Sequence, residues 1–230
     1  MRWFKLFIAA LLLPVCVAAT FTAAEVGHSL LAGSQMSSAL AFGTGYALWL
    51  LVFAFLPKPM RTYVLGHELT HALWALLMGA RVSGLKVRKT GGQVRTSKTN
   101  WFITLAPYFF PFYAVIFIAG FFIAHAIWNL SAHMGVLFFL VGLGWSFHVT
   151  FTLMILLSVQ QPDVKSQGIL FSAVAIYLMN LLTMTITGTA LSSALTCRAL
   201  GHSFVAHCAV SYGWTLDNIG ALWNYIAHRR

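Results

Sequence analysis

Six long apolar runs, approximately 3–22, 39–56, 62–79, 101–127, 134–158 and 168–190, dominate the chain. At 1.5 Å rise per residue, about 18 to 25 helical residues cover the roughly 30 Å hydrocarbon core of a bilayer, so each run is long enough to cross one. Only 8% of the 230 residues are charged and 60% are hydrophobic, whereas a water-soluble domain carries about 25% charged residues. The expected fold class is therefore an all-α multi-pass membrane protein with about six transmembrane helices. A weaker apolar run at 209–227 is a candidate seventh.

The formal net charge of +10 does not point to nucleic acid, because the basic residues sit between apolar runs and no nucleic-acid-binding motif is present. Arg81, Lys86, Arg88, Lys89, Arg95 and Lys98 all fall between the third and fourth runs. The positive-inside rule places that segment in the cytoplasm. Counting crossings from it puts Asp163 and Lys165 on the same side, the 191–208 region outside and His228-Arg229-Arg230 inside if the last run spans. Two full spans before residue 60 would leave Arg2 and Lys5 outside, against the rule. The first run, with its early basic residues and Val17-Ala18-Ala19, is also signal-like.

The chain divides into N-terminal membrane segments (1–59), a membrane core (60–190), and an external loop followed by a C-terminal helix (191–230). Within the core, the pattern between Ala80 and Thr99 changes to β-capable arms around Gly91-Gly92, which predicts a β-hairpin over 82–97 turning at that pair. An isolated hairpin is marginal, so it is expected to pack on the membrane core. Pro107 and Pro111 are expected to kink the start of the fourth run, and Gln160-Gln161-Pro162-Asp163 breaks the chain after the fifth. Cys197 and Cys208 are placed in the external loop, where a disulfide or free thiols are expected in preference to a metal site with His202 and His207.

Chemistry concentrates at His67-Glu68-Leu69-Thr70-His71, an HExxH sequence inside the third run. On a helix the two histidines lie one turn apart on one face and can chelate one ion, while Glu68, displaced by about 100°, can reach water on that ion. Small residues beside them, Gly66, Thr70, Ala72, Ala75 and Gly79, allow other helices to approach. The bland alternative is that the two histidines and the glutamate satisfy one another in a helix interface. A catalytic zinc site takes three protein ligands and an open position. Only four acids exist, Glu25, Glu68, Asp163 and Asp217, so no glutamate follows the motif. Trp74 and Leu77 also break the extended metzincin pattern. Asp163 is favoured as third ligand, being on the side of the motif helix's end and in a Pro-broken segment; His148 is its rival. His71 lies about eight residues, or roughly 12 Å, from the end of its helix, so Val159 to Asp163 must fold inward to reach it.

Gly66-His67-Glu68-Leu69-Thr70-His71-Ala72, then a basic hairpin, two spans and Gln161-Pro162-Asp163 with Gly168 following, resembles the site-2 protease family of intramembrane zinc metalloproteases, most closely its small bacterial members. The resemblance covers roughly 60–190. It implies one Zn²⁺ held by His67, His71 and Asp163, Glu68 as general base, and a membrane-embedded protein substrate held by strand addition to the hairpin. It also implies the bacterial inner (plasma) membrane, with the hairpin and Asp163 segment toward the cytoplasm. The chain departs from better-known members in lacking an Asn-Pro before the aspartate segment and in having Gln167-Gly168 some residues later instead of an immediate Asp-Gly, and no PDZ or CBS module is expected. A catalytically silent relative that binds or chaperones membrane partners is the alternative, and a transporter comes third. Oligomeric state is not legible in the sequence.

Overall fold

Apolar, branched and aromatic side chains leave a backbone in low-polarity surroundings with no partner but itself, and the computed structural model answers with helices almost throughout. It describes residues 2–31, 36–89, 91–191 and 196–228. The order is α1 (Arg2–Leu31), α2 (Met36–Phe55), α3 (Met60–Leu77), β1 (Val82–Arg88), β2 (Gly91–Thr96), α4 (Trp101–Leu105), α5 (Phe112–Trp128), α6 (Met134–Ser158), α7 (Pro162–Gln167), α8 (Ile169–Leu191) and α9 (Cys197–Ala227), with single 3₁₀ turns before α5 and α6.

Among the described residues four helical stretches are long and apolar enough to cross a membrane: Trp3–Leu31, Met36–Phe55, Leu130–Ser158 and Ile169–Ala190. A fifth arises if Trp101–Tyr108 and Phe112–Trp128, bent by 81°, count as one span. The bend falls between Pro107 and Pro111, as their missing N–H groups predict. Six was the expectation. The third run is helical but is not among these spans, because α3 carries Arg61, His67, Glu68 and His71 within 18 residues.

The chain forms two compact units. Gly33–Ile169 contains the motif helix, the hairpin and the Asp163 segment. Its α2 and α6 cross at paired glycines: a Cβ on Gly45 would overlap the Phe139 carbonyl, and one on Gly142 the Phe42 carbonyl. Beside that crossing, Trp49, Phe147 and Phe151 form a buried aromatic cluster. Tyr63 of α3 stacks on Phe151 with 4.9 Å between centroids, which ties the motif helix to α6. Gly66 lets Tyr113 of α5 approach, since a Cβ would sit 2.8 Å from its ring. Of the small residues on α3, Gly66, Thr70, Ala72 and Ala75 are buried, whereas Gly79 is exposed and adopts φ +72° where the helix ends.

The hairpin is antiparallel, pairing Val82 with Thr96 and Arg88 with Gly91, with an irregularity between Ser83 and Lys86. It does not turn at Gly91-Gly92. Both glycines lie within β2, and position 90, which precedes them, is outside the described residues. Gly91 is needed for φ +149°, and Gly92 for a close approach to α3. Val82 packs with the buried Ala75, Ala80 and Ile103, so the hairpin is anchored on α3 as its marginal size requires.

The other unit, Met1–Ala32 and Leu170–Arg230, holds α1, α8 and α9. Tyr212 donates to the Leu11 carbonyl at 2.6 Å, Thr22 Oγ1 and His207 Nδ1 share a 3.0 Å hydrogen bond, and Ser203 donates to the Glu25 carboxylate. The external loop expected to carry Cys197 and Cys208 is replaced by helix: α9 begins at Cys197 and runs through both. They are free thiols, and 11 helical positions (197 to 208) separate them by about 16 Å, beyond the reach of a disulfide. Residues 192–195 of that loop and the terminal Arg229 and Arg230 lie outside the described residues.

Candidate metal centre

Helical periodicity puts His67 and His71 one above the other on α3, with ring centroids 4.9 Å apart. Each has its second nitrogen occupied. His71 Nδ1 lies 2.8 Å from the Ile103 carbonyl, which can only accept, so Nδ1 carries a proton and Nε2 is the atom left to bind an ion. His67 Nδ1 lies 3.4 Å from the Tyr63 hydroxyl. Ile103 is placed by α4, whose N-terminus is capped by Asn100 Oδ1 accepting from the Ile103 N–H at 2.8 Å.

Asp163 reaches the same point from the chain break after α6. Val159 takes extended backbone (φ −144°, ψ 138°), Gln161 follows in kind, and α7 starts at Pro162, where a missing N–H costs nothing. The segment folds inward, and Asp163 Oδ2 comes to 3.5 Å from both His67 Nε2 and His71 Nε2. The three side chains are largely shielded, at 12%, 13% and 29% exposure. One ligand atom from each lies within 4.8 Å of the others, the one such His/Cys/Asp/Glu group among the described residues.

These residues fit a metal ion. Bonds of about 2.0–2.1 Å at a tetrahedral angle separate ligand atoms by roughly 3.3 Å, close to the 3.5 Å found. Burial by itself would raise the Asp163 carboxyl, but when His67 and His71 are protonated on Nε2 their hydrogen bonds and charge hold it well below the usual carboxylate range; a bound ion would take the place of those Nε2 protons. His148, the rival ligand, is buried on α6 beside Trp145 and does not join the group. Asp217 and Glu25 are exposed in the other unit.

Glu68 projects from the neighbouring face of α3, 7% exposed, and borders the same cleft. That cleft has a volume of about 880 Å³ and is lined by His67, Glu68, His71 and Asp163, by β2, and by the 159–162 segment. It is large enough for a short stretch of extended peptide.

Tyr108 has no signal in the sequence beyond its place between two prolines. It is fully buried, donates to Asp163 Oδ2 at 3.1 Å and meets the His67 ring edge-on at 5.2 Å. The bend between α4 and α5 is what delivers it. Groups that orient ligands typically change metal affinity by about 10- to 100-fold. Tyr108→Phe keeps the ring and removes the hydroxyl, so it is expected to weaken metal binding about tenfold in a competition titration against a chromogenic chelator. Unchanged affinity would show that the hydroxyl does not orient the ligand.

Comparison with protein-family models, with curated proteins and with solved structures gives no match for this chain.

Proposed function

We propose that this chain is an intramembrane zinc metalloendopeptidase of the site-2 protease type, hydrolysing peptide bonds of membrane-embedded protein substrates. The observation that carries the reading is the convergence of His67, His71 and Asp163 on one point, with Glu68 beside them in a cleft bordered by a strand edge. Two neutral imidazoles and one carboxylate with room for a further ligand suit a catalytic zinc ion better than a closed structural one. Zinc held there would lower the pKa of a coordinated water and polarise a scissile carbonyl.

The chain's own residues do the rest. Glu68 takes the proton of the attacking water and later returns one to the leaving amine. The Ile103 carbonyl and the Tyr63 and Tyr108 hydroxyls hold the ligand side chains in orientation. A transmembrane helix must unwind before its backbone can be cut, and the outer edge of β2 offers the unwound segment main-chain partners. In this reading α3 is a sixth membrane segment shielded by α5 and α6, and the basic hairpin and Asp163 lie toward the cytoplasm of a bacterial inner membrane.

The test is reconstitution. Purified protein with a model transmembrane substrate is expected to cleave it, to lose activity on removal of metal by a strong chelator, and to regain it with Zn²⁺ but not Mg²⁺. Activity that survives complete metal removal would refute the reading.

A further inference from the structure

Pro107 interrupts a helical ladder at the rung whose acceptor His71 uses. α4 continues directly into the 3₁₀ turn Ala106–Tyr108, and Leu105 (φ −96°, ψ −10°) and Ala106 (φ −51°, ψ −41°) keep right-handed helical backbone. The Thr104 N–H donates to the Asn100 carbonyl at 3.0 Å, and the Ala106 N–H to that of Phe102. The next rung would join the N–H of residue 107 to the Ile103 carbonyl. Proline has no N–H, so that carbonyl is left without its helical donor. Ile103 and Pro107 are both buried, where an acceptor needs a partner. His71 Nδ1, at 2.8 Å, supplies it. The other polar group of Ile103 is committed as well: its N–H donates to Asn100 Oδ1, and Asn100 Nδ2 donates to Met78 Sδ, at the end of α3, at 3.2 Å. Ile103 is therefore tied at both ends to the helix that carries the histidines.

We propose that Pro107 is a positioning residue of the His67, His71 and Asp163 centre: by withholding an N–H from the Ile103 carbonyl it reserves that acceptor for His71 Nδ1–H. The imidazole is thereby fixed with Nε2 toward the point it shares with His67 and Asp163. A residue needed only for the bend would have no bearing on which donor Ile103 receives. The hold on His71 stands on the hydrogen bonds alone, and its effect on an ion rests on the zinc reading above.

Pro107→Ala tests this by returning the missing donor. Alanine also favours helix, so a loss of metal affinity would run against the expected gain in local order. In the full chain in detergent micelles, Zn²⁺ affinity by chelator competition is expected to fall about tenfold, the lower end for groups that orient ligands. In the metal-free protein the nitrogen-15 resonance of His71 Nδ1 is expected to shift, while that of His67 Nδ1, which lies beside Tyr63, stays in place. Pro107→Gly supplies the same N–H on a backbone free to keep the bend; it is expected to give the same shift, and it decides the matter if the alanine protein does not fold. An unshifted His71 resonance in a folded variant would overturn the proposal whatever the zinc affinity, because a merely displaced Tyr108 would weaken the centre through Asp163 and leave His71 alone. Wild-type protein that binds no zinc while His71 still shifts in the variants would remove the metal reading and uphold the hold.

Discussion

Glu68→Gln is expected to abolish peptide hydrolysis while leaving bound metal at the wild-type level. A positioned general base contributes about 10²- to 10⁴-fold to rate, and glutamine at this position cannot take a proton from water. Its shape is otherwise conservative. The side chain still fits beneath Gly92. Glu68 is not part of the His67, His71 and Asp163 group, so the ion loses no ligand. Metal content by atomic emission beside cleavage of a model transmembrane substrate separates the outcomes. Retained cleavage would strip Glu68 of its role as base, and joint loss of metal and activity would place it among the ligands. A wild-type protein that binds metal and cuts nothing would instead favour a silent relative that binds membrane partners.

The helical membrane class was legible because apolar runs of this length have few alternatives, and the hairpin because a polar, β-capable stretch interrupts them. The inward fold at 159–163 was legible from an energetic conflict: an aspartate beyond its apolar run had to reach a histidine at depth, and Pro162 supplied the break. Other features were hidden because they depend on partners distant in sequence. Gly92 reads as half of a turn signal, yet its missing Cβ makes room for Glu68, 24 positions earlier (92 against 68). Tyr108 needs the 81° bend before it can face Asp163. Cys197 and Cys208 fall between the apolar runs that end at 190 and restart at 209, so they read as loop; α9 forms regardless, its first turn capped by Thr196 Oγ1 accepting from the Ala199 N–H at 3.2 Å.

Asp163 separates this centre from a mere pair of helical histidines, and its replacement should have the largest effect on metal. The apparent binding free energy of structural zinc sites, about 10–16 kcal/mol over four ligands, assigns roughly 3 kcal/mol to each. Asp163→Ala is therefore expected to weaken metal binding on the order of a hundredfold or more, with cleavage lost at ordinary zinc concentrations. Asp163→Asn sharpens the test. Its side-chain oxygen can still accept from Tyr108, so the inward fold of α7 is retained while the negative charge opposite His67 and His71 is removed. If charge and ligation matter, Asn should bind metal nearly as weakly as Ala although its helix content and melting behaviour match wild type. Zinc at full occupancy in Asp163→Ala, under competition by a chelator that strips the His67→Ala protein, would exclude Asp163 as a ligand. The observed 3.5 Å approaches to both histidines would then be ion pairing alone.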